Sequence, residues 1–217
     1  MIDRPTSLDQ VRRGLLEKVD RYYSAKLAEH GPLARGVDWS SEQSQTLRFE
    51  QLLRVCDGRG RFSLNDYGCG YGALLTFVQQ AGWEVDYRGC DVSADMIRCA
   101  QALHASASKA RFEVAAAPPE PADYTVASGV FNVKLDVPPE QWWPFIQDTL
   151  EVMAAHSTRG FSFNCLTSYS DRERMRDDLY YADPCRLFDH CKRRFSRNVA
   201  LLHDYDLYEF TMLVRLA

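Results

Sequence analysis

The 217-residue sequence has no apolar run approaching the ~20 residues needed to span a bilayer, so a membrane-spanning helix is not expected. It has no low-complexity tract and no internal repeat, which argues against disorder and against a solenoid. Charge of one sign does not dominate. The formal net charge is −4, and bulk electrostatics therefore predict neither a nucleic-acid nor an anionic-membrane partner. The opening residues MIDRPTSLDQ lack the apolar stretch of a signal peptide. The seven cysteines are odd in number and form no CxxC pair, a pattern that reads as reduced thiols of a cytoplasmic protein rather than a disulfide frame or a metal site. No metal is expected.

What the chain does have is an ordinary globular composition, 46% hydrophobic and 26% charged, enough for one self-sufficient core. Two helices come first. Ser7 and Gln10 have capping-box spacing ahead of Leu8, Val11, Leu15, Val19, Tyr22, Tyr23 and Leu27, and Gly31-Pro32 ends that helix. Ser40 and Gln43 start a second helix through Leu47, Leu52, Leu53 and Val55, broken by Asp57-Gly58-Arg59-Gly60. Strands and helices then alternate. Strands are predicted at Phe62–Tyr67, Glu84–Cys90, Arg111–Ala115, Tyr124–Ser128 and Phe161–Leu166. Helices are predicted at Ala73–Ala81, Ser93–Ala105, Pro139–Ala155 and Pro184–Arg194. Asn198–His203 and Tyr208–Val214 read as a closing antiparallel pair. Such alternation predicts an α/β fold, a mostly parallel sheet with helices on both faces.

The loop after the first strand, NDYGCGYGALL, places Gly68, Gly70 and Gly72 at every second position, where a ligand can approach bare backbone. Gly68, Gly70, Gly72 and Ala73 satisfy the G-x-G-x-x-[G/A] template, and Asp91 ends the next strand ~20 residues on, placed to accept hydrogen bonds from ribose hydroxyls. Together they predict an adenosine-containing ligand at the carboxyl edge of the first strand. Plain turn chemistry is the competing reading.

Asp66-Tyr67-Gly68-Cys69-Gly70-Tyr71-Gly72 resembles the first motif, D-x-G-x-G-x-G, of the class I S-adenosylmethionine (SAM)-dependent methyltransferase superfamily. GCDVSADMIRCA resembles its second motif and ADYTVASGVFN its fourth-strand motif. The resemblance covers about residues 60–217 and implies a Rossmann-like seven-stranded sheet in the order 3-2-1-4-5-7-6 with the last strand antiparallel. Residues 1–60 are then a helical extension, or lid, and 61–217 the SAM-binding domain. It also implies SAM as cofactor, with backbone around Gly68 and Gly70 along its methionine and ribose, Asp66 toward its ammonium, Val92 and Met96 near adenine, and backbone at Ser128 and Gly129 toward the ammonium. Where many relatives carry an acidic residue after the third strand, this chain has Ala115-Ala116-Ala117.

In an open α/β sheet ligands sit beyond the carboxyl ends of the strands. That rule nominates Phe131, Asn132, Tyr169 and Tyr205 for an acceptor, and His203 as a general base. The amino-terminal extension adds Tyr23, Trp39 and Arg48, the last as a partner for a carboxylate. Core packing competes for Tyr23, a loop staple for Trp39, an ion pair with Glu50 or another surface carboxylate for Arg48, and a structural strand-end role for His203. The leading expectation is methyl transfer to an oxygen, nitrogen or sulfur of a small-molecule metabolite. An RNA or protein methyltransferase, hinted at by the basic run CKRRFSR, and a non-catalytic SAM-binding protein are the alternatives; a homodimer stays open.

Overall fold

A computed structural model describes residues 7–56 and 60–216, with side chains from Arg13 onward. The Ser7–Gln10 capping box and the turn at residues 57–59 lie outside what is described. Helices α1 (Ser7–His30) and α2 (Glu42–Leu53) lead into β1 (Phe62–Tyr67), α3 (Ala73–Gln80), β2 (Val85–Asp91), α4 (Ala94–Leu103) and β3 (Ala110–Val114). Then follow β4 (Ala122–Ala127), α5 (Pro139–Ala155), β5 (Ser157–Leu166), α6 (Pro184–Arg194), β6 (Asn198–Leu202) and β7 (Glu209–Arg215). The seven strands form one sheet in the order β3-β2-β1-β4-β5-β7-β6. β7 runs antiparallel to β5 and β6, and the other pairings are parallel. This is the Rossmann-like arrangement the resemblance implied.

Local chemistry sets the element ends. Ser93 caps α4 by accepting a hydrogen bond from the Met96 N–H, as expected. Pro184 opens α6 behind Asp183, whose side chain accepts from the N–H groups of Cys185 and Arg186, and Lys192, Arg193 and Arg194 occupy its last turn, where a cation is favoured. The second helix starts one residue later than the Ser40 signal predicts. Ser41 and Ser44 form the reciprocal cap instead, because serine satisfies the same orphan N–H groups as glutamine. β5 starts at Ser157, four residues ahead of its apolar core, because pairing with β4 recruits the polar Ser157–Gly160 stretch.

Two apolar layers clothe the sheet. One holds Trp142, Ile146 and Leu150 of α5 and Leu187 of α6 against Phe161, Phe163 and Met212. The other holds Phe49 and Leu53 of α2, Leu74 and Val78 of α3 and Ile97 of α4 against Leu64, Tyr87 and Val126. Thus α2 belongs to a helical layer of the sheet, fastened further by the Ser162 hydroxyl donating to the Leu52 carbonyl at 2.8 Å. The middle of α1 and the 34–39 segment instead reach the strand ends. Among the described residues, no helix is long and apolar enough to cross a membrane.

Candidate active site

The loop between β1 and α3 carries Gly68, Gly70 and Gly72 with φ of +76°, +53° and +84°, a region L side chains rarely adopt. Their steric demands differ. A Cβ at Gly68 would lie 2.6 Å from Val130 Cγ2, across the site, whereas one at Gly72 would meet His104 Nε2 at 2.9 Å, behind it. Gly72, as cap of α3, therefore serves helix packing and lies away from the cavity that Gly68 and Gly70 line.

That cavity lies beyond the carboxyl ends of β1, β2 and β4. One side consists of Tyr67, Gly68, Gly70, Asp91, Val92, Met96, Ala115, Ser128 and Gly129. The other is built by Leu16, Val19 and Tyr23 of α1, Val37 and Trp39, and Val130, Val133 and Phe145. An adjoining smaller cavity is lined by Gln45, Asp66, Gly68, Gly70, Tyr71 and Ser128. Ser128 Oγ, at the junction, is buried without a hydrogen-bond partner.

Two carboxylates face these spaces. Asp91 accepts from the Gly70 N–H and the Ser93 N–H, both at 2.9 Å, which holds the glycine loop against the end of β2. Burial pushes its pKa up, and those N–H groups oppose the shift. Asp66 is buried and pushed up to about 7, chiefly by burial; the Tyr87 hydroxyl, donating at 2.5 Å, works against the shift, and the Asp91 charge adds to it. After β3, where the acidic residue is missing, the Tyr67 hydroxyl donates to the Ala116 carbonyl at 2.7 Å and ties that loop to β1.

The α1 side of the cavity is held from outside by ion pairs and a hydrogen bond. Lys18 donates to both oxygens of Asp136 at 2.7 Å, and the Tyr22 hydroxyl donates to Asp38 at 2.7 Å, with Lys26 and Arg176 also on Asp38. Asp38 holds a left-handed φ of 61°, which turns the chain so that Trp39 faces the cavity.

The acceptor residues nominated by sequence divide sharply. Tyr23 and Trp39 line the cavity. Arg48 does not: its Nε and one terminal nitrogen donate to Glu209 at 2.8 and 2.7 Å, the other donates to the Ser44 carbonyl at 2.6 Å, and its guanidinium stacks 3.9 Å over Trp39. These three hydrogen bonds place its Nε–Nη fork on Glu209 and its third nitrogen on Ser44, so it offers no vacant fork for a ligand carboxylate. Glu209 also accepts from Asn164 Nδ2 at 2.9 Å, and Asn164 Oδ1 accepts from the Gly129 N–H at 2.7 Å, completing a buried chain from α2 to the rim of the cavity. Glu209 lies 161 positions from Arg48, beyond any local pairing rule.

Phe131 is fully buried in an aromatic cluster with Phe145 and Phe163, not at the cavity surface. Asn132 is buried and braces the end of β5, its Oδ1 accepting from the Leu166 N–H at 3.0 Å. Tyr205 is buried with its hydroxyl 2.9 Å from that of Thr211. Tyr169 is 70% exposed, and His203, also exposed, sits between the Tyr169 and Phe210 rings. Phe131 and Asn132 lie outside the cavity because they turn into the core between the cavity-lining Val130 and Val133, and Tyr169, His203 and Tyr205 because β7 and β6 continue the sheet away from the β1–β4 opening. Sequence reasoning missed Leu16, Val19, Val37, Val130, Val133 and Phe145. Their apolar character carries no chemical signal, and only the sheet order shows which of them share a space.

No family model matches the sequence. A protein of Mycobacterium tuberculosis (strain ATCC 25618 / H37Rv) named "Putative methyltransferase Rv1506c" is 56% identical over 165 residues, covering 76% of this chain and 99% of that protein. Among solved structures, a DhpI complex with SAM and HEP superposes with a TM-score of 0.62 at 17% identity, over 92% of this chain and 97% of that one. Magnesium protoporphyrin IX methyltransferase (ChlM) of Synechocystis PCC 6803 with bound SAM gives 0.52 at 15% identity, over 100% and 87%. The structural likenesses bear on fold, and the sequence relative adds kinship: the chain belongs to the class I SAM-dependent methyltransferase superfamily.

Proposed function

We propose that the protein binds SAM across the two adjoining cavities and transfers its methyl group to an oxygen, nitrogen or sulfur atom of a small molecule. The observation that carries this reading is the pairing of a glycine-lined opening with carboxylates on both sides of it and no cationic side chain among the described lining residues. SAM carries an ammonium and a sulfonium, which such a lining favours, whereas a pyrophosphate would be repelled by Asp66. In this reading Asp91 receives the ribose hydroxyls, and Val92, Met96 and the tethered backbone after β3 surround the adenine. Asp66, with backbone at Ser128 and Gly129, receives the methionine end. Gly68 and Gly70 permit the close approach, and Gly72 positions α3 behind them.

When bound, SAM supplies an electrophilic methyl for in-line displacement, so the protein's main task is alignment and exclusion of water. Tyr23 and Trp39 close the acceptor side, and α1 with the 34–39 segment acts as the cover. An RNA or protein acceptor is less well supported, since the CKRRFSR run is partly neutralised by the Arg193–Asp189 and Arg194–Glu151 pairs. The test is a co-crystal with S-adenosylhomocysteine (SAH). Ribose on Asp91 and the sulfur facing Tyr23 and Trp39 are expected; SAH elsewhere on the sheet edge would refute the assignment.

A further inference from the structure

Among the described residues, the wall that α1, the 34–39 segment and the chain from Val130 to Phe145 present to the main cavity carries no ionised group. Its polar side-chain atoms are the Tyr23 hydroxyl and the Trp39 indole N–H. The cations nearest this wall are all engaged with protein carboxylates, Arg48, stacked on the Trp39 ring, with Glu209, Lys18 with Asp136, Lys26 with Asp38 and Arg176 with Asp178. Tyr23 is no base in its resting environment. Burial, then its neighbours Tyr22, Asp38 and Asp91, raise its pKa well above the ordinary phenol range, and Arg176 opposes them only in part. It stays a phenol, able to donate. His203, the residue sequence reasoning nominated as base, lies outside this wall.

Resting on the reading of the cavity as a methyl-donor site, we infer that the acceptor is a lipophilic small molecule presenting a thiolate sulfur to the donor. Three physical constraints lead there. An aliphatic alcohol needs a base at the moment of attack, and the wall has none. A multiply charged metabolite would bury charges with no counter-ion facing them, which is strongly unfavourable. A thiol ionises near pH 8.5 without a protein base, its single charge would face the donor's sulfonium as counter-ion, and the neutral thiol and the thioether product pack favourably against rings such as Tyr23, Trp39 and Phe145. The atoms balance. The thiol proton leaves to solvent, a thiolate lone pair forms the new sulfur–carbon bond, and the donor's sulfur–methyl bond breaks with its electron pair staying on that sulfur. The products are a methyl thioether, SAH and one proton.

The experiment has two stages on the full chain. Calorimetry first measures SAH, then benzyl mercaptan titrated into the SAH complex. Turnover with SAM then compares benzyl mercaptan with benzyl alcohol, benzylamine and phenylacetic acid. The mercaptan is expected to bind the SAH complex and to be methylated about tenfold faster or more than each of the others, as a strong nucleophile whose ionisation needs no protein base should be. Its rate should rise with the thiol's own ionisation, and the inflection should stay at the same pH in Tyr23→Phe whatever that variant's absolute rate. Absence of SAH binding would refute the methyl-donor reading itself. SAH binding with no mercaptan binding or turnover, equal methylation of the alcohol or acid, or an inflection lost with Tyr23, would overturn the acceptor assignment alone.

Discussion

Replacing Arg48 by methionine removes one half of a buried ion pair while keeping most of the side chain's volume. Arg48 is 7% exposed and Glu209 1%, and two charge-assisted hydrogen bonds join them. In Arg48→Met the Glu209 carboxylate stays buried with Asn164 Nδ2 as its remaining side-chain donor, and Trp39 loses the guanidinium beneath it. Breaking one partner of a buried pair costs about 3–5 kcal/mol, more than replacing both by neutral groups. For a chain of this size each kcal/mol lowers Tm by about 2–4 °C, so a fall on the order of 10 °C is expected. The double variant Arg48→Met/Glu209→Gln leaves no uncompensated charge and should lie closer to wild type than Arg48→Met alone, by about 2 kcal/mol. Denaturant unfolding of the four proteins closes the cycle. Additive losses, or a single-variant loss below about 1 kcal/mol, would refute the view that desolvated charge dominates here.

Other expectations concern the site. Asp91→Ala should weaken SAH binding by about 1–3 kcal/mol through lost ribose hydrogen bonds, and unchanged calorimetric affinity in a folded variant would reject that role. Gly129 has φ +78°, and a Cβ there would lie 2.6 Å from Trp39 Cζ2. Gly129→Ala should therefore cost about 1–3 kcal/mol in urea unfolding, partly recovered by adding Trp39→Leu. Asp66, raised from 3.8 to about 7 by burial, favours the folded state in its protonated form, so its contribution is complete below about pH 4 and is lost as pH rises through about 7. A ligand ammonium favours the carboxylate, so SAH affinity should strengthen over the upper part of that same rise; an Asp66→Asn variant that keeps the wild-type pH dependence would contradict this. His203→Ala should leave single-turnover rates unchanged, because the side chain lies outside the cavity, and a loss of rate at saturating substrate would show that the cavity has been wrongly delimited.

The parts of the fold legible in the sequence are those marked by local chemistry. β1, α5 and α6 fall where predicted because Gly and Pro punctuate them and their apolar periods are clean. The sheet order came with the resemblance, carried by a few residues of the glycine loop and the β2 end, not with the periodicity. Of the residues nominated for an acceptor, Tyr23 and Trp39 line the cavity. Rules that place ligands at strand ends cannot distinguish the β4 edge, which opens on the cavity, from the β5–β7–β6 edge, where Tyr169 and His203 meet solvent. Arg48 was recognised as important for its charge, but its partner comes from the last strand. The energy of a buried charge depends on what the fold brings to it.

Calorimetric titration of SAH into the purified chain, beside a parallel titration of NAD, tests the central claim most directly. One SAH bound per chain, with no heat from NAD and a clear loss of affinity in Asp91→Ala, is the predicted result. Binding of NAD with none of SAH would contradict the assignment of this glycine-lined, carboxylate-flanked opening to a methyl donor.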